Sequence, residues 1–232
     1  MKKNIELLII GCISLTQMVF AQKESKTFDV SNFKSIDVRV AAHVVLTKGD
    51  GFKCYAMGKT RHIDRLDIKV KGDELMIRTI KEDFWDFNEK EVDIFIEMPD
   101  LQGVHFSGAG NIESNSTWSG DKIRLEMSGA GSLNLYNLDY KTVKANMAGA
   151  GSMKLKGKAT EIDMDMSGAG SIDALDLAAE KGSCDVSGIG KIFCDVSNDL
   201  RANVSGIGGI RYKNMPANLS KSVSGIGKVK PY

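Results

Sequence analysis

Proline is scarce, with 3 residues in 232, and histidine and cysteine are nearly as rare, with 3 and 4. So little proline excludes a collagen-like or Pro-rich chain. The few His and Cys lie too far apart for the ligand spacing of a structural zinc site. Neither charge sign predominates, since 31 Lys plus Arg face 30 Asp plus Glu. There is no surplus basic field to draw in nucleic acid and no acidic tail. Beyond residue 21 no apolar run reaches the length of a membrane-spanning helix, so no transmembrane segment is expected in the mature chain. No stretch is long and periodic enough to predict a helix. What is abundant is glycine, 24 residues, and apolar residues, 42% of the chain. That is ample for a core and excludes wholesale disorder. The length fits one domain, or at most two small ones.

Residues 1–21 read as an export signal. Lys2 and Lys3 form a positive start, and Ile5 to Phe20 is apolar apart from Glu6, Ser14, Thr16 and Gln17. Val19-Phe20-Ala21 supplies the small or aliphatic residues that a signal peptidase reads, so cleavage after Ala21 is expected. Ile9-Ile10-Gly11-Cys12 offers a rival, a lipoprotein box with lipid on Cys12. Against it, only eleven residues precede Cys12 and the chain stays apolar through Phe20. An uncleaved anchor is the third alternative. Cleavage removes Lys2, Lys3 and Glu6, leaves no net charge, and places the protein in the periplasm or at the cell surface. Cys54, Cys184 and Cys194 then remain, so at most one intrachain disulfide can form.

A repeat fills residues 106–232. A small residue followed by Gly-x-Gly recurs seven times, as Ser107-Gly108-Ala109-Gly110, Ser128-Gly129-Ala130-Gly131, Ala148-Gly149-Ala150-Gly151, Ser167-Gly168-Ala169-Gly170, Ser187-Gly188-Ile189-Gly190, Ser205-Gly206-Ile207-Gly208 and Ser224-Gly225-Ile226-Gly227. The first glycines lie 21, 20, 19, 20, 18 and 19 residues apart. A near-constant period of this size signals a solenoid, in which each coil buries its apolar face only against its neighbours. The flanks alternate as strands do, for example Ile162-Asp163-Met164-Asp165-Met166. Aligned on the glycines, the residue before each motif is Phe106, Met127, Met147, Met166, Val186, Val204 and Val223. The residue two beyond is Ile112, Leu133, Met153, Ile172, Ile192, Ile210 and Val229. Both columns are apolar throughout and should stack as core ladders, in an all-β fold of parallel sheets with coils of about 20 residues and Gly-x-Gly turns. The column His105, Glu126, Asn146, Asp165, Asp185, Asn203 and Ser222 should point outward. The change from Ala to Ile at Ile189 predicts a change in cross-section, or in packing at this corner, along the axis. Residues 22–105 lack the motif but alternate as strands over 28–30, 36–40, 44–47, 66–70, 75–80 and 92–98, with turns at Lys48-Gly49-Asp50-Gly51 and Lys71-Gly72-Asp73-Glu74. They read as less regular first coils or as a cap, continuous with 106–232 as one domain; a separate N-terminal domain is the alternative.

The export signal, the Lys48-Gly49-Asp50 turn after an alternating strand, the Met98-Pro99-Asp100-Leu101 entry and the serial Ser-Gly-Ala-Gly motifs together resemble the autotransporter adhesin head-domain family, the GIN domain, over about residues 28 to 229. The resemblance implies a right-handed parallel β-helix shaped like the pectin lyases but without their catalytic residues, and a role in adhesion. No stalk or membrane-anchor barrel is expected from the sequence.

Several side chains remain as candidates. Glu126, Asp165 and Asp185, with Asp163 alongside, could do acid–base work or bind Ca²⁺ on one flank. A solvated sheet face shows the same pattern, and Asn146 and Asn203 interrupt it. No catalytic, cofactor or metal-ligating residue is assigned. Gly-x-Gly sits at no strand-to-helix junction, so no nucleotide site is expected. His43, His62 and His105 read as surface or edge residues. Cys184 and Cys194 fall on the inward phase, symmetrically about one Gly turn, and are either a disulfide or two buried thiols. Phe84, Trp85 and Phe87, between charged runs, are either a contact for a sugar or protein or a packed cover over the solenoid. The functional expectation is a non-enzymatic exported binding or adhesion module of the cell envelope. Its partner would be a glycan, a surface protein or a second copy of itself. A carbohydrate-active β-helix enzyme and a purely structural envelope protein are the alternatives.

Overall fold

A computed structural model describes residues 24–80 and 92–232. The chain winds as an all-β solenoid whose coils repeat every 20 residues or so. Ala130–Met147, Ala150–Met166, Ala169–Val186 and Ile189–Val204 each pair in parallel with the next. Ile207–Tyr212 and Asn218–Val223 both lie against Ile189–Val204, and Ile226–Pro231 closes the stack on Ile207–Tyr212.

The apolar columns of the sequence are the ladders of the structure. Phe106 pairs with Met127, and the line continues through Met147, Met166, Val186 and Val204 to Val223. All but Val223, in the last coil, are buried. Ile112 starts a second line through Leu133, Met153, Ile172, Ile192 and Ile210 to Val229. Together they form one continuous core from Val30 to Val229. Period-two alternation puts the apolar side chains inside, and 20-residue spacing sets like over like.

Between the ladders the chain bends at the small-Gly pair and the hydrogen bonds continue through the bend, with Ser128 N–H donating to Phe106 O at 2.9 Å and Ala130 N–H to Gly108 O at 3.0 Å. Gly131, at φ 145°, lies directly over Gly110. A Cβ there would fall 1.8 Å from the Gly110 carbonyl oxygen, so only glycine allows the coils to stack this closely. The change from Ala to Ile falls on the surface of the corner. Ala130, Ala150 and Ala169 are exposed, and so are Ile189, Ile207 and Ile226 stacked in line with them. The side chain between the glycines points away from the core, so the change alters the surface.

At the N-terminal end, stacking order departs from chain order. Ala41–Lys48 lies between Asp93–Met98 and Ala109–Ser114, and Ser35–Val38 between Glu74–Thr79 and Gly103–Phe106, all in parallel. Residues 35–48 thus form a coil inserted ahead of the first motif coil. Antiparallel strands cover the far side: Glu24–Phe28 on Lys53–Gly58, Lys53–Gly58 on Asp93–Met98, and Leu66–Lys71 on Glu74–Thr79 through a tight turn with Gly72 at φ 67°. The strand expected over 28–30 is instead Glu24–Phe28, because pairing with Lys53–Gly58 ends at Phe28; Val30 still reaches the core. A single helical turn, Thr60–Ile63, buries Ile63. The export signal, Cys12 and the segment Phe84, Trp85, Phe87 lie outside the described residues.

Candidate functional site

The outward flank beside the first ladder is built as its alternation requires. His105, Glu126, Asn146, Asp165, Asp185, Asn203 and Ser222 are register partners in successive coils. The acidic candidates do meet: Asp165 pairs with Asp185, and Asp163 lies two residues away on the same strand and face. Asp163 and Asp185 already have partners, however. Lys144 Nζ lies 2.6 Å from Asp163 Oδ2. Asn203 Nδ2 donates to Asp185 Oδ1 at 2.7 Å, and Ser183 Oγ to Asp185 Oδ2 at 3.3 Å. Asp165 has its pKa raised, by partial burial first and then by the charges of Asp185 and Asp163. The flank therefore presents hydrogen-bond acceptors and donors, several of them held in place by cross-strand pairs. Among the described residues no group of three or more His, Cys, Asp or Glu is arranged to hold a metal ion.

A recess of about 600 Å³ opens at the alanine corner between Ala42, His43, Ala109, Asn111 and Ala130. His43 stands on its rim with Nε2 3.2 Å from Glu113 and Nδ1 3.5 Å from Asp93. Ser132 Oγ donates to Asn111 Oδ1 in the next coil. Small side chains make the hollow, and amide, hydroxyl and imidazole groups line its edge.

Cys54, Cys184 and Cys194 are free thiols, all buried. Cys184 and Cys194 face each other across the core; their hydrogen bond, and then burial, push the Cys184 thiol well above its usual range. Burial alone pushes Cys54 up to about 12. Neither state is a nucleophile, because the thiolate is the reactive form.

His62, expected at the surface or an edge, is instead buried in the turn Thr60–Ile63, with Arg61 Nε donating to its Nε2 at 2.8 Å. Two more buried polar groups went unread in the sequence. Asp37 is held by Arg39 at 2.9 Å and Arg78 at 3.4 Å. The Asp-x-Arg spacing, which places both side chains on one strand face, was the available signal. Ser114 is the other: its Oγ donates to Leu46 O at 2.7 Å and accepts from Trp118 Nε1 at 2.8 Å. Nothing local marks it, since its partners lie in two other strands.

Residues 32–216 match the family model described as "Putative auto-transporter adhesin, head GIN domain". The crystal structure of a putative adhesin from Bacteroides fragilis NCTC 9343 is similar, at 25% identity and TM-score 0.86, over 91% of this chain and 97% of that one. A putative adhesin from Parabacteroides distasonis ATCC 8503 shares the fold at 23% identity and TM-score 0.68, over 92% and 98%. A putative lipid binding protein from the same strain shares it at 21% identity and TM-score 0.68, again over 92% and 98%. No curated protein matches the chain.

Proposed function

The chain belongs to the family of auto-transporter adhesin head GIN domains, and on that premise we propose that it is a non-enzymatic, exported binding or adhesion module of the bacterial cell envelope. The observation that carries the reading is the family match over residues 32–216, laid on an outward flank whose polar columns run unbroken from coil to coil. Stacked amide, hydroxyl and carboxylate groups suit the hydroxyls of a glycan or the backbone of a surface protein. Acid–base catalysis is disfavoured because Asp163 is neutralised by Lys144 and Asp185 is bonded by Asn203 and Ser183. Among the described residues no helix is long and apolar enough to cross a membrane.

The finer readings follow from the same premise. Residues 1–21 act as the signal, and the protein works in the periplasm or at the surface. Residues 22–105 and 106–232 form one domain, supported by the parallel pairing of Ala41–Lys48 with Ala109–Ser114. The coils wind right-handed and turn at Gly-x-Gly, as parallel crossover connections overwhelmingly favour that hand. Phe84, Trp85 and Phe87 are read as an aromatic contact for the sugar or protein partner. A glycan and matrix-protein array tests this: Trp85→Ala and Phe84→Ala should each weaken the detected binding about tenfold. Binding indifferent to both substitutions would remove the aromatic contact, and binding to nothing on the array would leave the adhesion reading without a ligand class and overturn it as stated.

Cys184 and Cys194, unbonded in the structure but within hydrogen-bonding reach of each other, are proposed to close into a disulfide after export, by exchange with a disulfide of an oxidant in that compartment. Both electrons and both thiol protons pass to that oxidant. The intact mass of protein purified from the envelope under non-reducing conditions should be lower by about two hydrogens and should recover on reduction, with a loss of about 2–3 kcal/mol in stability. An unchanged mass identifies them as thiols.

A further inference from the structure

We infer that the outward face of the last three coils docks on an anionic lipid surface. Strand alternation puts nine residues on this face in three rows: Ile189, Lys191 and Phe193; Ile207, Gly209 and Arg211; Ile226, Lys228 and Lys230. Parallel register aligns them in columns, Ile189 over Ile207 over Ile226, then Lys191 over Gly209 over Lys228, then Phe193 over Arg211 over Lys230. The first column is an apolar ridge, with the three isoleucines 62%, 52% and 78% exposed. The other two carry four cations and no acid. The same positions in the three preceding coils read Ala130, Ser132, Asn134, then Ala150, Ser152, Lys154, then Ala169, Ser171, Asp173, which sum to no net charge. The feature is therefore confined to one end of the solenoid.

Between ridge and cations lies a recess of about 600 Å³, lined by Ile226, Gly209, Lys191, Arg211, Lys228 and Lys230. Gly209 makes the gap. No side chain stands between Lys191 and Lys228, which lie two strand spacings apart, and Arg211 borders the recess. Lys191, Arg211, Lys228 and Lys230 form no ion pair among the described residues, whereas two carboxylates beside Phe193, Asp173 in the register-paired position and Asp195 two residues on, are taken by Lys154 and Lys213. Unpaired cations around a notch call for an anionic group of phosphate size.

The aliphatic ridge decides which anion. Sugars stack on aromatic rings, and the one ring among these nine, Phe193, is packed edge-on against Tyr232. Exposed isoleucines beside lysine and arginine are the arrangement that buries in the acyl boundary while the charges meet lipid headgroups. A second copy of the chain is a poor occupant, because two such faces would oppose four cations to four.

Sedimentation of the protein with vesicles of mixed phosphatidylglycerol and phosphatidylcholine, against phosphatidylcholine alone, tests the assignment. Binding to the mixed vesicles only is expected. Arg211→Gln with Lys228→Gln should weaken it roughly 25-fold, about fivefold per cation. Ile207→Ser with Ile226→Ser should weaken it about tenfold, and both pairs are exposed enough to leave the melting temperature in place. Failure to bind, or dependence on the cations alone, overturns the inserted ridge. Displacement by a soluble carboxylated polysaccharide, sensitive to the cations and not the isoleucines, makes the face an anionic glycan site instead. A dimer lost with the isoleucines makes it a self-contact. Array binding through Trp85 and Phe84 is read separately and stands or falls independently.

Discussion

Gly131→Ala is expected to lower the thermal midpoint by about 6–12 °C, from a loss of about 3 kcal/mol. The new Cβ would sit 1.8 Å from the oxygen and 2.8 Å from the carbon of the Gly110 carbonyl, at a φ of 145° that side-chain-bearing residues avoid. Neither neighbour can yield. Gly110 is fixed below by its pairing with Ala42, and Gly151 is stacked above with its own Cβ position 1.9 Å from the Gly131 oxygen. A shift that relieved one contact would tighten the other. Gly51→Ala is the control: nothing lies within 4 Å of its Cβ, and the change should move the midpoint by no more than about 1–2 °C. Equal shifts for the two variants would mean that the glycine column does not set the coil spacing.

That column was legible because glycine leaves a periodic mark. So were the two apolar ladders, from Phe106 to Val223 and from Ile112 to Val229, since alternation fixes the inward phase and the 20-residue period fixes register. The N-terminal arrangement left no such mark. Ala41 pairs with Ala109, 68 positions on, and the strands Asp93–Met98 and Ala109–Ser114, neighbours in the chain's order of coils, are kept apart in the stack by Ala41–Lys48, which slots between them. Local pattern identifies those strands and says nothing about their order. The acidic column was placed correctly, but its chemistry was not readable, because Lys144 and Asn203 reach Asp163 and Asp185 from neighbouring coils. The outward direction of the isoleucine column was not legible, because a large aliphatic residue in a regular repeat is usually inside, and here the bend between two glycines turns it out.

Trp118→Ala should be nearly as costly, at about 3–5 kcal/mol, for a different reason. Trp118 is fully buried and heads the inner line continued by Leu138, Gly157 and Leu177. Its ring fills the interior where the inserted coil meets the regular ones, and its Nε1–H closes a chain of hydrogen bonds through Ser114 Oγ to the Leu46 carbonyl. Truncation removes the ring volume and leaves Ser114 short of a donor in a dry site. Trp118→Phe separates the two contributions, since it keeps most of the volume and loses only the indole N–H; it should cost about 1–2 kcal/mol beyond the volume change. Ser114→Ala should cost a similar amount, because it strands both the Trp118 N–H and the Leu46 carbonyl. Thermal melts followed by far-ultraviolet circular dichroism measure all three. If Trp118→Phe is as damaging as Trp118→Ala, the hydrogen bond rather than the ring joins the two parts. If neither moves the transition, the N-terminal strands are held to the regular coils by backbone pairing alone, and the core is not continuous at Trp118.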